Sequence, residues 1–143
     1  MPDRPAILAE ARRWIGTPYH HRASVRGVGT DCLGLIRGIW RALYGAEPEP
    51  LPDYTRDWAE ATGAETLLQA ATRHLAPADI LLFRLRPTGP ARHIGIMGET
   101  ETGTPTLIHA LSPHHVTESP LTVQWRKRVA GAFVFPDAPS PRP

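Results

Sequence analysis

Gly29-Thr30-Asp31-Cys32-Leu33-Gly34-Leu35-Ile36 carries the chain's one cysteine to the point where a glycine-bearing loop turns into an apolar-periodic segment. Leu35, Ile36, Ile39, Trp40 and Leu43 recur at helical spacing, so Cys32 is predicted in the first turn of a helix. Unpaired backbone N–H groups and the positive dipole end favour a thiolate there. A cysteine so placed is expected to have its pKa lowered from about 8.5 to between about 3.5 and 7.5. With a histidine opposite, it would be a nucleophile.

Outward from this stretch, Asp3 reads as an N-cap, with Pro5 in a first turn and Gly16 as a stop. Ile7, Leu8, Ala11, Trp14 and Ile15 form one face of that helix, Gly16-Thr17-Pro18-Tyr19 a turn, and His20 to Asp31 a polar loop. The cysteine helix is expected over Asp31 to Tyr44, stopping at Gly45. Glu47-Pro48-Glu49-Pro50-Leu51-Pro52 is an extended connector. A third helix is expected around Glu65 to Leu75, ended by Pro77. Strands follow at Asp79 to Leu85, Arg92 to Met97, Thr106 to Ala110 and Ala130 to Phe135. Val116 to Ser119 reads as short and extended, and Leu121 to Arg128 as a brief helix or strand. Helices first and strands afterwards predict an α+β domain over residues 1–135, its helices packed on a meandering antiparallel sheet. Residues 136–143, half of them proline, form a separate tail.

Hydrophobic residues at 41% and charged residues at 21% are ordinary for a folded domain, and 143 residues are enough for one core. A formal charge of +2 with scattered basic residues argues against nucleic acid. The densest run, Arg126-Lys127-Arg128, reads as a solvated face. A single cysteine excludes an internal disulfide and a cysteine-rich zinc site. The polar start shows no signal peptide, and no apolar segment reaches transmembrane length. The chain is therefore expected to be made in the cytosol and to leave it only with a carrier.

A base for Cys32 must be one of seven histidines. Glu99-Thr100-Glu101-Thr102-Gly103 reads as a hairpin loop. Folding the chain about Glu101 pairs Met97 with Pro105 and Gly95 with Leu107, and sets His93 directly opposite His109. Directly opposed residues share a face about 4.5–5.5 Å apart. One imidazole then supports the other, with Cys32 expected from a helix packed on that same face. His20-His21 and His114-His115 point to opposite sides of extended chain and make poor ligand pairs, so no metal is expected. His74 reads as a helix-end surface residue.

Five segments, in order, resemble the NlpC-type cysteine peptidases. Gly16-Thr17-Pro18-Tyr19 is similar to a motif early in that family. Asp31-Cys32-Leu33-Gly34-Leu35 resembles its Asp-Cys-Ser-Gly-Leu nucleophile motif. Pro77-Ala78-Asp79-Ile80-Leu81-Leu82-Phe83 resembles its Pro-Gly-Asp strand. His93-Ile94-Gly95-Ile96 resembles its His-Val-Gly-Ile strand, and Ile108-His109-Ala110 its third catalytic element. The resemblance is nearest to the short peptidases encoded with phage tails and gene transfer agents. It implies a papain-like fold and cleavage of peptidoglycan stem peptides, commonly between D-glutamate and diaminopimelate.

On that resemblance Cys32 is the nucleophile, His93 the general base and His109 its orienter. Tyr19 lines the substrate site, and Asp31 either binds the free amine of the stem peptide's L-alanine or caps the helix. No metal or organic cofactor is implied. Leu33 in place of serine makes the pocket more apolar, and His20-His21-Arg22-Ala23-Ser24 replaces a glycine-rich stretch. The expected setting is the tip of a phage-like tail, in contact with hub or baseplate proteins, opening a recipient wall for DNA. A structural tail plug, a cytosolic muropeptide-recycling peptidase and an acyltransferase on the same residues are the alternatives.

Overall fold

The computed structural model describes residues 2–46 and 75–135. The expected connector, all but the last residue of the expected third helix, and the proline-rich tail lie outside the described residues.

Helix α1 runs from Arg4 to Arg12, and the Asp3 carboxylate accepts the Ala6 N–H at 2.9 Å. It buries Ile7, Leu8 and Ala11, as the spacing predicts. The expected polar loop instead holds a small antiparallel hairpin, β1 (Ser24–Val25) and β2 (Gly29–Thr30). Gly27 turns it with φ of +79°, a conformation that costs glycine little. Helix α2 spans Cys32–Tyr44 and ends at Gly45, whose φ is +88° and whose N–H donates to the Arg41 carbonyl. Gly38 lets the two helices meet, because a Cβ there would overlap the Trp14 ring.

The sheet comprises β3 (Ile80–Arg84), β4 (Ala91–Glu99), β5 (Pro105–His109), β6 (Thr117–Pro120) and β7 (Val129–Phe133). Its order is β6-β5-β4-β3-β7, every pair antiparallel. The expected meander holds from β3 to β6 only. The chain then crosses to the far edge and adds β7 beside β3. Helix α3 (Val123–Lys127), capped by the Thr122 hydroxyl, lies in that crossing.

Alternation divides the sheet's residues between two cores. Ile80, Leu82, Ile94, Ile96 and Ile108 face α2 through Leu35, Ile36 and Ile39. Leu81, Phe83, Met97 and Leu107 face the other way, covered by Leu121 and Trp125. Arg12 ties α1 to the sheet, its Nε and Nη2 each 3.0 Å from a Glu118 oxygen and Nη2 also 2.8 Å from the Glu99 carbonyl. No helix among the described residues is long and apolar enough to cross a membrane.

Candidate active site

The sulfur of Cys32 lies where β5 stops. Met97 in β4 turns both its N–H and its C=O toward β3, donating to the Asp79 carbonyl at 2.9 Å and accepting from Ala78 at 2.7 Å. Ile94, an odd number of residues away, therefore presents its N–H to the β5 side. Strand β5 ends at His109, and there the Ile94 N–H lies near enough to the Cys32 sulfur to favour its ionised form, as do the N–H groups of Leu33 and Cys32. This places the thiol beside the residue that follows His93.

His93 and His109 are both buried, and His93 Nε2 lies 2.7 Å from His109 Nδ1. They are not directly opposed as the hairpin reading predicts. Ile96 pairs with Ile108 and Met97 with Leu107, two residues out of the expected register. The turn centres on Thr102, closed by Thr100 and Thr104, with Gly103 at φ of +85°. A shift of two preserves the face, so the imidazoles meet diagonally. Gly95 makes room for this: a Cβ there would lie 3.0 Å from the His109 Cβ.

A second correction concerns α2, which packs on the sheet face opposite the imidazoles. Both histidines stand on the Phe83 and Met97 side, whereas α2 packs on Ile94 and Ile96. Cys32, the first residue of the helix, instead meets the sheet at Ile94, the chain neighbour of His93.

The thiol's acidity is a third correction. Burial and the neighbouring Asp31 carboxylate push the Cys32 pKa up to about 11, although the three N–H groups work in the other direction. A charge-stabilising helix start is outweighed here by desolvation and a like charge. Burial, with repulsion from His109, lowers His93 to about 3, and burial lowers His109 to about 4. Burial thus favours the neutral form of the thiol and of both imidazoles.

Asp31 caps the helix. Its Oδ1 accepts the Gly34 N–H and its Oδ2 the Arg22 N–H, both at 2.7 Å, and it is 2% exposed. Gly34 is required because a Cβ would overlap the Ala23 carbonyl and crowd Thr30 and Asp31. Tyr19 forms a parallel bridge with Thr30, which brings its ring to the site. Its phenol is raised by burial and by proximity to Cys32 and Asp31. Leu33 packs half-buried against the α2 core.

Trp125 is the site residue that motif reading missed. Its ring lies 5.6 Å from that of His93 and 5.2 Å, edge-on, from that of His109. Phe83 completes the group, 5.9 Å from His93 and 5.0 Å from Trp125. Only the crossing to β7 brings α3 over these rings. A cleft of about 990 Å3 between Leu8, Arg12, Glu99 and Pro120 lies at the other end of the sheet, away from Cys32 and the two histidines. Among the described residues no three His, Cys, Asp or Glu side chains gather as a metal would require.

A helix-start cysteine beside an antiparallel strand that carries a buried histidine defines a papain-like α+β fold. No family model matches the chain. The NlpC/p60 domain of the peptidoglycan hydrolase SagA superposes with a TM-score of 0.56 at 28% identity, over 85% of this chain and 91% of that one. An NlpC/p60 family protein from Bacillus cereus gives 0.65 at 20% identity, over 92% of this chain and 39% of its own. A lipoprotein-like NLP/P60 protein from Staphylococcus aureus gives 0.59 at 20% identity, over 90% and 40%. The gamma-DL-glutamyl hydrolase of Bacillus subtilis is 25% identical over 138 residues, 95% of this chain, which spans 30% of that relative's length. Within the papain-like class, the fold is most like that of these NlpC/p60 domains.

Proposed function

We propose that the chain is a cysteine peptidase that hydrolyses amide bonds of peptidoglycan stem peptides, the D-glutamyl–diaminopimelate bond foremost. The observation that carries this reading is the 2.7 Å bond between His93 Nε2 and His109 Nδ1. It commits Nε2 of His93 and leaves Nδ1 to serve the sulfur beside Ile94. For Nδ1 to accept a proton, His93 Nε2–H must donate to His109 Nδ1, and His109 then carries its own hydrogen on Nε2. The likeness to the SagA domain and to the glutamyl hydrolase supports the substrate class.

The thiol passes its proton to His93 Nδ1 as sulfur adds to the substrate carbonyl carbon. The N–H of Cys32 is the oxyanion donor, held in place by the helix start. The tetrahedral adduct collapses to a thioester as His93 gives its proton to the leaving amine. Water, deprotonated by His93, then releases the acid and restores the thiol. Tyr19 lines the acyl side. Burial that favours neutral partners means that the sulfur's proton moves to His93 as the bond to the carbonyl carbon forms.

The finer reading is an enzyme of a phage-like particle or gene transfer agent, carried on tail hub or baseplate proteins to the recipient wall. It rests on the nearness of the five segments to the short tail-encoded peptidases. Immunodetection in purified particles is expected; detection in soluble cytosol alone favours a recycling peptidase. For the chemistry, mass spectrometry of muropeptides digested by the purified protein is expected to show new stem-peptide ends, absent with Cys32→Ala. Undiminished cleavage by purified Cys32→Ala protein overturns the peptidase reading.

A further inference from the structure

Basic residues that are scattered in the sequence are gathered by the fold. Arg84 ends β3, Arg86 lies in the turn to β4 and Arg92 near the start of β4, whereas Lys127 and Arg128 close α3. Two clamps hold these segments together. The Arg84 N–H donates to the Arg128 carbonyl at 2.8 Å, and the Arg128 guanidinium donates to the Leu85 carbonyl. A hollow of about 390 Å3 lies between Arg84, Arg86, Lys127 and Arg128, and a second of about 320 Å3 between Arg86 and Arg92. Residues 84–92 and 123–129 contain no Asp or Glu. Arg4, Arg12, Arg13 and Arg26, by contrast, each stand within 3.6 Å of a carboxylate. Among the described residues, no carboxylate pairs with any of the five gathered cations. The patch borders the proposed site: Arg92 precedes His93, and Arg84 follows Phe83, the cross-strand partner of His93. Asp79, Glu99 and Glu101 stand near the opposite end of the sheet.

We propose that Arg84, Arg86, Arg92, Lys127 and Arg128 form a docking surface for polymeric peptidoglycan, binding free carboxylates of stem peptides that neighbour the one being cut. The inference deepens the peptidase reading and takes its occupant from it. A stem peptide carries free carboxylates at its D-glutamyl and diaminopimelyl residues, and a glycan strand repeats them. A nucleic acid would match the charge but not the chemistry of the adjoining site. Exposed ion pairs contribute little singly and are screened by salt. Several engaged at once by one repeating chain act together, because each contact raises the effective concentration of the next. A detached stem peptide offers its carboxylates at the cleavage site alone, so the surface favours intact wall over fragments.

The test sediments the full chain, as Cys32→Ala, with sacculi stripped of phosphodiester polymers by hydrofluoric acid. Retention is expected at about 50 mM salt and is expected to fall about tenfold or more by about 500 mM. Arg86→Glu with Lys127→Glu, which spares the clamps at Arg84 and Arg128, is expected to weaken retention about tenfold or more. Arg86→Lys with Lys127→Arg is expected to bind as the parent does. Amidation of the sacculus carboxylates is expected to abolish retention. In the chain that keeps Cys32, the charge reversal is expected to lower the rate on sacculi, relative to that on one soluble stem peptide, about tenfold. A folding defect would lower both rates together. Retention that survives amidation, that the charge reversal leaves unweakened, or that occurs only on unstripped sacculi or only on duplex DNA overturns the proposal. Arg92→Gln with Lys127→Gln, with the same readouts, takes its place if the reversed variant does not fold. The sedimentation arm does not depend on cleavage. Salt-sensitive retention of a chain that cuts no stem peptide therefore sinks the peptidase reading and supports the surface, and cleavage without such retention does the reverse.

Discussion

At the scale of single residues, the site is a contest over one proton. Asp31 serves α2 as a cap and at the same time opposes ionisation of the adjoining sulfur. Asp31→Asn separates the two effects. The amide oxygen still accepts the Gly34 N–H, but its NH2 meets the Arg22 N–H, donor against donor. Stability is expected to drop by about 1–3 kcal/mol. The thiol pKa is expected to fall, seen as iodoacetamide alkylation setting in at lower pH. An unshifted alkylation profile would remove Asp31 from the electrostatics. His93→Ala is expected to cost about a hundred- to ten-thousand-fold in kcat/KM, since it removes the proposed base. His109→Ala is expected to cost less, because an orienter is partly dispensable; the reverse order would exchange the two roles.

At the scale of elements, close approach decides what the sequence can contain. Gly34 faces the Ala23 carbonyl and Gly38 the Trp14 ring. Gly34→Ala is expected to destabilise by about 1–3 kcal/mol through overpacking, read in denaturant unfolding with activity lost in parallel. Helices α1 and α2 were legible because capping residues and apolar spacing are local signals. The small β1–β2 hairpin was not, since two-residue strands leave almost no periodicity. Faces of β4 and β5 were legible while their register was not. Alternation sets the side on which His93 and His109 stand, but the turn sets the pairing, and Thr100 and Thr104 moved the turn by one residue. A displacement of two residues preserved the face, so the histidine pair survived the misplaced turn.

At the scale of the whole molecule, tertiary arrangement supplied what local pattern does not contain. The crossing to β7 gave the sheet its far edge and the imidazoles their roof, and no period in the sequence announces it. Burial of the thiol, which outweighs the helix start, is likewise a property of the assembled core. Acid stability follows from the same burial. In the unfolded chain a histidine binds its proton near the ordinary value of about 6.5, whereas folded His93 and His109 resist it. Their contribution is therefore complete above about pH 6.5 and is lost as pH falls toward the folded values. Glu118, held below the usual carboxylate range by its bonds to Arg12 and Thr106, adds a loss of the same sign at lower pH. Urea unfolding at pH 7, 5.5 and 4 is expected to show a loss on the order of a few kcal/mol, flattened by His93→Phe with His109→Phe. A pH-independent midpoint above pH 4 would contradict it. The crossing has one more result, which concerns synthesis. A growing chain emerges amino end first, so its sulfur leaves the ribosome early, its imidazoles later, its indole later still and its closing edge strand after that. A half-made chain therefore carries the sulfur without the completed histidine pair and its covering helix.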